Sequence, residues 1–342
     1  MKKSNPKIKV VCAMSGGVDS SVSAALLKQA GFDVVGIMAK FWKDGESSAE
    51  NRCCSIESEK MARLVAKQLS IPFYVVNLER EFKKEVVDNF LAQYKKGATP
   101  NPCVVCNKEI KFGLLLKKAE KMGADFLATG HYVRIEDGKM MKGKDKAKDQ
   151  SYFLWQLDKN QLKKILFPVG GYTKAQVRQL AKEFDLPVAE TPESQEVCFV
   201  PATTNNFLKK YLKQKPGKIV DKNGKAVGQH QGLWFYTIGQ RKGLELAQGP
   251  WFVIAKDFKK NTLIVSKNKK DLISRELKIK NVNWIGKKAA IADVKIRYKS
   301  ASAKAKILGN KIIFQKPQLA ITSGQSAVLY KRDELLGGGI IQ

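Results

Sequence analysis

Short apolar stretches alternate with amphipathic ones through the first 200 residues of the chain. The runs "IKVVCAM", "DVVGIMAKF", "FYVVNL" and "DFLATG" predict four buried β-strands. Apolar residues at helical spacing predict helices over residues 18–30, 55–69, 79–96 and 107–122. Strands and helices that alternate in this way are typical of an α/β fold, and we expect a doubly wound parallel sheet.

Beyond about residue 205 the pattern changes to short strands separated by Gly, Asn and Lys turns. The clearest of these strands are "GKIV", "WFVIA", "TLIVS", "KIIF" and "SAVLYK". Such a succession predicts one or two small domains of the β-barrel type. In the first part of the chain, the Lys-rich run "MKGKDKAKDQ" predicts a solvated loop.

The positive charge of the chain is distributed unevenly. The 342 residues carry a formal net charge of +30. Residues 206–342 contain 29 basic and 8 acidic side chains, a balance of +21, against +9 for residues 1–205. This excess predicts a surface that binds a polyanion. A lysine-rich composition is the alternative, since only nine of the 62 basic residues are Arg, but it does not explain the uneven distribution.

The composition also disfavours several classes of protein. No stretch approaches the roughly 18 apolar residues of a membrane span. The start, "MKKSNPKIKV", lacks the apolar core of a signal peptide, so we expect a cytoplasmic protein without a membrane partner. Six cysteines are too few for a disulfide scaffold, and clustered Cys inside the cell indicate redox chemistry or metal binding. Two histidines, His131 and His230, disfavour a His-based metal site or a hydrolase triad.

The segment "VVCAMSGGVDSS" passes from a predicted strand into two glycines, a carboxylate and two hydroxyls where a helix should begin. Gly16 and Gly17 allow backbone angles that present several N–H donors together, and the helix adds its positive end. The pattern predicts a phosphate site, although a plain capped turn has the same local signature. The loop contains no lysine, and the one run with Walker spacing, "GKMMKGKD", lacks the final Ser or Thr.

Two further segments, "ATPNPCVVCNKEIKFG" and "TPESQEVCFV", carry candidate reactive cysteines. If the following helix starts at Asn107 or a neighbour, its dipole favours the thiolate of Cys106. Cys198 lies beside a predicted strand or short helix. Two thiols suit sulfur transfer, in which one carries a persulfide and the other resolves it by disulfide exchange. Buried structural thiols are the alternative for both residues.

The other cysteines and His131 are interpreted as structural. Cys12 belongs to the first predicted strand and therefore to the core. Cys53 and Cys54 are adjacent, which suits a shared metal poorly, and we expect buried thiols. His131 is expected to stabilise the loop after "ATG" rather than to transfer protons.

The glycine loop resembles the PP-loop of ATP pyrophosphatases, which cleave ATP to AMP and pyrophosphate while they adenylate an oxygen. In order along the chain, six strings resemble the bacterial-type tRNA-specific 2-thiouridylases: "MSGGVDSSV", "TPNPCVVCNKEIKF", "ATGHY", "KDQSYFLWQL", "SQEVCFV" and "YTIGQRKGL". This resemblance implies an ATP-pyrophosphatase domain over residues 1–205, a small central domain over 206–275 and a C-terminal, tRNA-binding β-barrel over 276–342.

The resemblance also implies roles for individual residues. Cys106 is the expected resolving nucleophile and Cys198 the expected persulfide carrier. The residues expected to contact ATP are Ala13, Met14, Ser15, Gly16, Gly17, Val18, Asp19, Ser20, Met38 and Gly130, of which the last two lie against the adenosine. The residues expected to contact the tRNA are Asn101, Pro102, Cys103, Lys148, Asp149, Gln150, Arg297 and Tyr298.

The implied reaction is 2-thiolation of the wobble uridine in the anticodon loop. ATP, with Mg²⁺ on its phosphates, adenylates the C2 oxygen, persulfide sulfur replaces that oxygen, and pyrophosphate and AMP are released. The expected partners are tRNAs for Lys, Glu and Gln and a sulfur donor, such as a cysteine desulfurase or a carrier protein. The alternatives are another adenylating enzyme with the same loop, such as tRNA lysidine synthetase or an amidotransferase-linked synthetase, and a non-catalytic RNA-binding or sulfur-carrier protein.

Cys103 departs from the family pattern, because many members have Asp at this position, where it is proposed to handle protons. In this chain Cys103 and Cys106 form a C-x-x-C pair. The pair leaves the acid/base role open and permits a second mechanism. In that mechanism Cys103, Cys106 and Cys198 hold an iron–sulfur cluster, as three cysteines do in some related tRNA thiolases.

Overall fold

The computed structural model describes residues 7–44, 55–192, 197–201 and 203–342. These residues belong to two compact units. The segments of the first unit are Met1–Val87, Cys103–Pro201 and Asp333–Leu335. The segments of the second unit are Asp88–Pro102, Ala202–Arg332 and Leu336–Gln342.

A parallel sheet and a hairpin contain the strands of the first unit. In chain order these strands are β1 (Lys9–Ala13), β2 (Asp33–Lys40), β3 (Phe73–Asn77), β4 (Phe126–Ala128), β5 (Val133–Glu136), β6 (Lys139–Lys142) and β7 (Ile165–Leu166). The parallel sheet has the order β3-β2-β1-β4-β7, which confirms the predicted strands and their parallel arrangement. The strand order reverses between β1 and β4, and open α/β sheets bind ligands at such a switch point.

The helices up to residue 183 include two π-helical stretches that periodicity did not predict. In chain order the α-helices are α1 (Val18–Gln29), α2 (Ile56–Gln68), α3 (Glu79–Phe82), α4 (Asn89–Lys95), α5 (Pro102–Val105), α6 (Leu116–Lys121), α7 (Lys159–Leu162) and α8 (Lys174–Glu183). The π-helical stretch Lys83–Asp88 joins α3 to α4, and the stretch Cys106–Leu115 joins α5 to α6. None of the described helices is long and apolar enough to cross a membrane.

A core of the first unit lies where α1, α2 and α8 pack together with β1. It includes Val22 of α1, Val65 of α2, Val177 of α8 and Val10 of β1, all of them fully buried. Burying one such side chain stabilises the fold by about 1.5–3 kcal/mol. The small Ser and Ala residues of α1 are also buried, so this helix lies close to its neighbours along most of its length.

The helix that carries Cys106 starts earlier than the sequence predicted. It was expected to begin at Asn107 or a neighbouring residue. In the structure it begins at Pro102, as α5. Proline suits the first position of a helix, because its missing N–H has no helical acceptor there and its φ is already helical. Cys103 therefore lies in the first turn and Cys106 a turn further on, so the dipole argument applies better to Cys103.

The second unit contains a small mixed sheet and a barrel. In chain order its further elements are α9 (Thr204–Tyr211), β8 (Gly217–Asp221), β9 (Ala226–His230), β10 (Phe252–Asp257), β11 (Thr262–Ser266), β12 (Ile273–Trp284), β13 (Ile291–Lys295), β14 (Ala303–Leu308), β15 (Lys311–Leu319), β16 (Ser326–Lys331) and β17 (Glu334–Ile341). The small sheet has the order β10-β11-β8-β9. The barrel has the order β12-β15-β14-β13-β16-β17 and closes through pairing of β12 with β17.

The barrel interior follows the two-residue period of its strands. Leu277 and Ile279 of β12, and Ala292 and Val294 of β13, point inward and belong to one apolar core. The intervening residues on these strands are polar or exposed. This alternation confirms the prediction of a C-terminal β-barrel.

Candidate active site

The predicted phosphate loop joins β1 to α1. β1 ends at Ala13 and α1 begins at Val18. Gly16 has φ +77°, a left-handed conformation that favours glycine. Gly17 is the N-cap of α1 and no side chain caps the helix there. The first-turn N–H groups of α1 thus have no side-chain cap within the described residues, and the binding of phosphate there stays a prediction.

Buried serines fix the shape of this loop from the inside. Ser20 Oγ accepts a hydrogen bond from the N–H of Ser15 and donates one to the carbonyl of Gly17, each at 3.1 Å. Ser21 Oγ donates to the same carbonyl at 3.0 Å. Ser15 itself is exposed. The hydroxyls of Ser20 and Ser21 are thus occupied by the loop's own backbone, whereas Ser15 faces solvent.

Asp19 accepts two hydrogen bonds on one carboxylate oxygen. The hydroxyl of Tyr132 donates to Oδ1 at 2.7 Å, and Nζ of Lys174 donates to the same atom at 2.6 Å. The side chains of Asp19 and Lys174 are 32% and 11% exposed. Sequence reasoning did not identify Tyr132 or Lys174. The one local signal for Lys174 is the capping box that starts α8 at Thr173, which marks a helix but not the partner of its lysine.

Met38 and Gly130, expected on the adenosine, lie near the carboxyl ends of β2 and β4. A Cβ at Gly130 would lie 2.8 Å from the backbone N of Ser20, so the loop after β4 passes directly over the first turn of α1. Met38 is 2% exposed and belongs to the apolar core of the unit. Contact of either residue with adenosine stays a prediction.

His131 anchors the loop after β4, in agreement with the interpretation from sequence. Its Nδ1 lies 2.7 Å from Oγ1 of Thr129, and its ring packs against those of Phe112 and Phe167. Burial, helped by the charge of Lys111, holds the pKa of His131 well below its usual value. The imidazole is therefore neutral at physiological pH.

The candidate reactive cysteines belong to the first unit and are thiols rather than disulfides. Cys103 and Cys198 are half-buried, and Cys106 is buried at the start of its π-helical stretch. Phe199, next to Cys198, packs edge-on against Phe82 of α3 at 5.8 Å between ring centroids. α3 also contacts the π-helical stretch that begins at Cys106. The two cysteine-bearing segments therefore share one neighbouring helix.

Asn107, directly after Cys106, is a polar residue that sequence reasoning missed. Its Nδ2 donates to the carbonyl of Phe153 at 3.2 Å, which fixes the orientation of the amide. Its Oδ1 is buried and has no hydrogen-bond partner within the described part of the chain. A buried acceptor left unpaired costs about 1–3 kcal/mol, which a donor on a bound ligand would recover.

Cys103, Cys106 and Cys198, the three cysteines of the cluster-based alternative, are not assembled as a metal site within the described residues. The described residues include Cys103, Cys106 and Cys198, and among them no group of three or more His, Cys, Asp or Glu side chains is placed to hold a metal ion. Cys12 is fully buried in β1, and burial raises the pKa of its thiol to about 12, as suits the core position predicted for it. Cys53 and Cys54 lie outside the described residues.

The loop that contains Lys148, Asp149 and Gln150 is more ordered than its charged sequence suggested. Asp149 is buried, and its carboxylate accepts hydrogen bonds from the N–H of Gly143 and from the N–H and hydroxyl of Ser151. Oε1 of Gln150 accepts the N–H of Tyr132 at 3.0 Å. The prediction of a wholly solvated loop is therefore wrong for Asp149, whose carboxylate is occupied by its own loop.

The remaining residues expected to contact tRNA belong largely to the second unit. Arg297 donates to the carbonyl of Ala320 and to Oγ1 of Thr322, so its guanidinium also holds a loop of the barrel. Nζ of Lys295 lies over the ring of Tyr298 at 5.6 Å. Part of the predicted binding surface thus has a structural task as well.

Asn101 and Pro102 follow a segment that is fixed within the same unit. The N–H of Thr99 donates to the carbonyl of Ser323 at 2.8 Å, and Nε2 of Gln325 donates to the carbonyl of Thr99 at 2.8 Å. Asn101 is half-buried and Pro102 is buried. Their contact with RNA stays a prediction.

Three family models match consecutive parts of the chain. The tRNA methyl transferase HUP domain matches residues 8–202, and the tRNA methyl transferase PRC-barrel domain matches residues 205–267. The aminomethyltransferase beta-barrel domain matches residues 274–341. Together these models cover the α/β part, the small mixed sheet and the barrel.

Curated relatives match the chain over nearly its whole length. The tRNA-specific 2-thiouridylase MnmA of Geobacter metallireducens is 45% identical over 358 residues, which is 97% of this chain and 96% of the relative. The protein of the same name from Thermus thermophilus is 43% identical over 348 residues, 98% of this chain and 95% of the relative. That of Clostridium perfringens is 44% identical over 358 residues, 98% and 99% of the two chains.

Proposed function

This chain belongs to the tRNA-specific 2-thiouridylase family, and we propose that it uses ATP to replace the C2 oxygen of the wobble uridine in tRNA anticodons by sulfur. The observation that carries the proposal is that one compact unit contains both a phosphate-type loop and two candidate reactive thiols. A glycine loop leads into α1 without a side-chain cap, and Cys106 and Cys198 lie on segments that pack on α3. A phosphate loop and two thiols within the same unit suit adenylation and sulfur transfer rather than methyl transfer.

The first step is adenylation of the base. The C2 oxygen attacks the α-phosphorus of ATP, the bond from that phosphorus to the bridging oxygen breaks, and pyrophosphate leaves. The carbonyl oxygen, a poor leaving group by itself, thereby becomes part of AMP, a good one. Residues 13–20 bind the phosphates, which bring Mg²⁺ on their own oxygens, and Met38 and Gly130 contact the adenosine. Taking an anticodon base out of its loop costs a few kcal/mol at most.

The second step transfers sulfur from Cys198. The terminal sulfur of a Cys198 persulfide attacks C2, and AMP leaves with the former carbonyl oxygen. The thiolate of Cys106 then attacks the sulfur of Cys198, so that a Cys106–Cys198 disulfide forms and sulfur remains on C2 as a thiocarbonyl. The two thiols supply the two electrons that reduce the transferred sulfur. A cellular thiol reductant reopens the disulfide, and a cysteine desulfurase or a carrier protein reloads the persulfide.

Binding of the tRNA is assigned mainly to the second unit. The sequence of residues 206–342 carries a balance of +21, which favours a phosphate backbone. Arg297 and Tyr298 on the barrel side and Asn101 and Pro102 on the adjoining segment are the proposed contacts there. In the first unit Lys148 contacts the RNA, while Asp149 and Gln150 hold its loop in place. The acceptors proposed are the tRNAs for Lys, Glu and Gln.

Two variants test the proposal by separating its two steps. Asp19→Ala is expected to abolish AMP and pyrophosphate formation while tRNA binding survives, because Asp19 belongs to the loop that binds ATP. Cys198→Ser is expected to abolish 2-thiouridine, measured by mass spectrometry of digested tRNA. Undiminished pyrophosphate release from Asp19→Ala would contradict the assignment of the loop.

The same measurements discriminate the alternatives. A lysidine synthetase or an amidotransferase-linked synthetase needs neither Cys106 nor Cys198, so both Cys→Ser variants would keep full activity. A non-catalytic RNA-binding protein would produce no AMP on addition of ATP and unmodified tRNA. The presence of two thiols on segments that share α3 favours the thiolation reaction over both.

Variants of Cys103 discriminate between the persulfide mechanism and the iron–sulfur cluster mechanism. If Cys103 does not carry the sulfur that is transferred, Cys103→Ala is expected to lower turnover only in part. Cys103→Asp is then expected to keep or raise turnover, because a carboxylate handles protons at the position where many relatives have one. The measurements are thiolation rate and iron content after anaerobic purification. An inactive Cys103→Asp protein that has lost a cluster present in the wild type would overturn the persulfide route.

A further inference from the structure

A loop of the barrel holds the chain just before the cysteine-bearing helix. The loop comprises residues 320–325 and joins β15 to β16. The N–H of Thr99 donates to the carbonyl of Ser323 at 2.8 Å, and Nε2 of Gln325 donates to the carbonyl of Thr99 at 2.8 Å. Both segments belong to the second unit, and α5 begins three residues after Thr99. The barrel therefore fixes the backbone that leads into the helix of Cys106.

The two segments pack too closely to leave room for a side chain at Gly324. This residue has φ +89°, and a Cβ there would lie 2.8 Å from the Cβ of Ala98 and 2.8 Å from the backbone N of Thr99. A Cβ at Gly97 would likewise overlap the ring of Phe258, which directly follows β10. Glycine at both positions allows this close approach. The segment before α5 is therefore held by steric fit as well as by hydrogen bonds.

This fit matters because the segment before α5 has no regular secondary structure of its own. Residues 98–100 belong to neither a helix nor a strand, so contacts with neighbouring segments set their conformation. Asn101 and Pro102, the proposed contacts of the target base, follow directly. A displacement of about 1 Å, even when it arises far from the chemistry, can lower a rate about 100-fold. A small shift of this segment is therefore expected to reach the reaction.

The same barrel loop is also bonded to a residue proposed to contact tRNA. Arg297 donates to the carbonyl of Ala320 and to Oγ1 of Thr322, both of which belong to the 320–325 loop. Hydrogen bonds thus connect the loop to a proposed RNA contact on one side and to the backbone before the proposed base contacts on the other.

We propose that the 320–325 loop is a positioning element for thiolation: by holding residues 98–100 it fixes Asn101 and Pro102 for the target base and sets the start of the helix that carries Cys106. The loop acts through the backbone of this segment rather than on the reacting atoms. This inference rests on the proposed thiolation of tRNA. It assigns to the barrel a part in catalysis that is separate from its part in binding RNA.

The test compares Gly324→Ala with Gly309→Ala in the full-length protein. Gly309, in the turn between β14 and β15, also has positive φ, +61°, but a Cβ there would have no atom of the described residues within 4 Å apart from its chain neighbours. Both variants place alanine in a left-handed conformation, and only Gly324→Ala presses on Ala98 and Thr99. The measurements are the rate of 2-thiouridine formation at saturating tRNA and ATP, with a cysteine desulfurase and cysteine as sulfur source, and the Kd for tRNA.

Gly324→Ala is expected to lower the rate at saturating tRNA by about 10- to 100-fold while the Kd for tRNA stays close to that of Gly309→Ala. Gly309→Ala is expected to keep the wild-type rate. Adding Ala98→Gly to Gly324→Ala removes one of the overlapping atoms and is expected to restore part of the rate. Circular dichroism at the assay temperature checks that each variant is folded.

Two outcomes would overturn the inference. One is a thiolation rate for Gly324→Ala equal to that of Gly309→Ala. The other is a loss of tRNA affinity by the same factor as the rate, which would assign the loop to RNA binding alone. Should Gly324→Ala not fold, Ala98→Val adds bulk against the same glycine from the other segment and gives the same comparison. If the wild type itself forms no 2-thiouridine, the proposed function fails instead, so the two failures are distinguishable.

Discussion

Gly16 and Gly17 are adjacent in the phosphate loop, and the structure predicts opposite tolerance to the same substitution. Gly16 has φ +77°, and a Cβ there would lie 2.2 Å from the carbonyl oxygen of Ser58 and 2.9 Å from its Cα. Gly17 has φ −96°, and the nearest atom to its Cβ would be Oγ of Ser15 at 3.7 Å, an ordinary contact. Gly16→Ala and Gly17→Ala therefore form a matched pair.

The cost at Gly16 has two parts. Holding an alanine at positive φ costs about 1–2 kcal/mol. The overlap is with backbone atoms of α2, whose first turn is fixed by the Ser55 cap, so the loop or the helix must shift by about 1 Å, at roughly 1–3 kcal/mol. The sum, about 2–5 kcal/mol, corresponds to a melting temperature about 4–20 °C lower for a unit of this size. At Gly17, Ala in place of Gly at an N-cap costs about 1 kcal/mol or less.

The assay is thermal unfolding followed by circular dichroism without nucleotide, so that altered phosphate binding does not enter. Gly17→Ala is expected to melt within about 4 °C of the wild type, and Gly16→Ala well below both. Equal melting temperatures for the two variants would refute the reasoning, because they would mean that neither the positive φ of Gly16 nor its contact with Ser58 constrains the loop.

Two other predictions concern protons and salt. Both histidines, His131 and His230, have a pKa lowered by burial, so below about pH 6.5 the unfolded chain binds protons that the folded chain does not. The free energy of unfolding, measured by urea titration, is expected to fall from pH 6.5 to 5 by up to about 1.4 kcal/mol per pH unit for each histidine, and His131→Gln should reduce this slope. Arg297→Glu is expected to weaken tRNA binding by about 1–3 kcal/mol, with Arg297→Lys as the charge-retaining control. Wild-type affinity should fall steeply with salt, and a flat dependence would show that the +21 of residues 206–342 is composition alone.

The elements that the sequence predicted well are those set by local pattern. The buried strand β1 follows directly from an apolar run in the sequence. The end of α1 follows from Gly31, which has positive φ just beyond the helix. The predicted start of this helix was wrong for α5, because Pro102 is compatible with two local structures. A proline fixes an extended loop or opens a helix at the same φ, and only the packing of the following residues decides between them.

The parts of the site that were missed depend on contacts between distant segments. Nothing in the spacing of Lys174 indicates that it meets Asp19, since the pairing arises where strand order reverses between β1 and β4. Asp149 was assigned to a solvated loop because its neighbours are charged. It is buried because its carboxylate accepts hydrogen bonds from N–H groups of its own loop. Such hydrogen bonds cannot be predicted from the hydropathy of the sequence.

The distribution of residues between the two units implies that three functions are separable by mutation. In the proposed function, phosphate chemistry depends on the loop with Asp19, and sulfur chemistry on Cys106 and Cys198, all in the first unit. Most of the excess positive charge lies in the segments of the second. A charge-reversing change in the barrel should therefore raise the KM for tRNA but leave pyrophosphate affinity unchanged, whereas Asp19→Ala should do the reverse. Binding of pyrophosphate requires neither RNA nor sulfur, so it reports on the phosphate loop alone. Measuring pyrophosphate affinity in each variant therefore separates a defect in the loop from a defect in tRNA binding or in sulfur transfer.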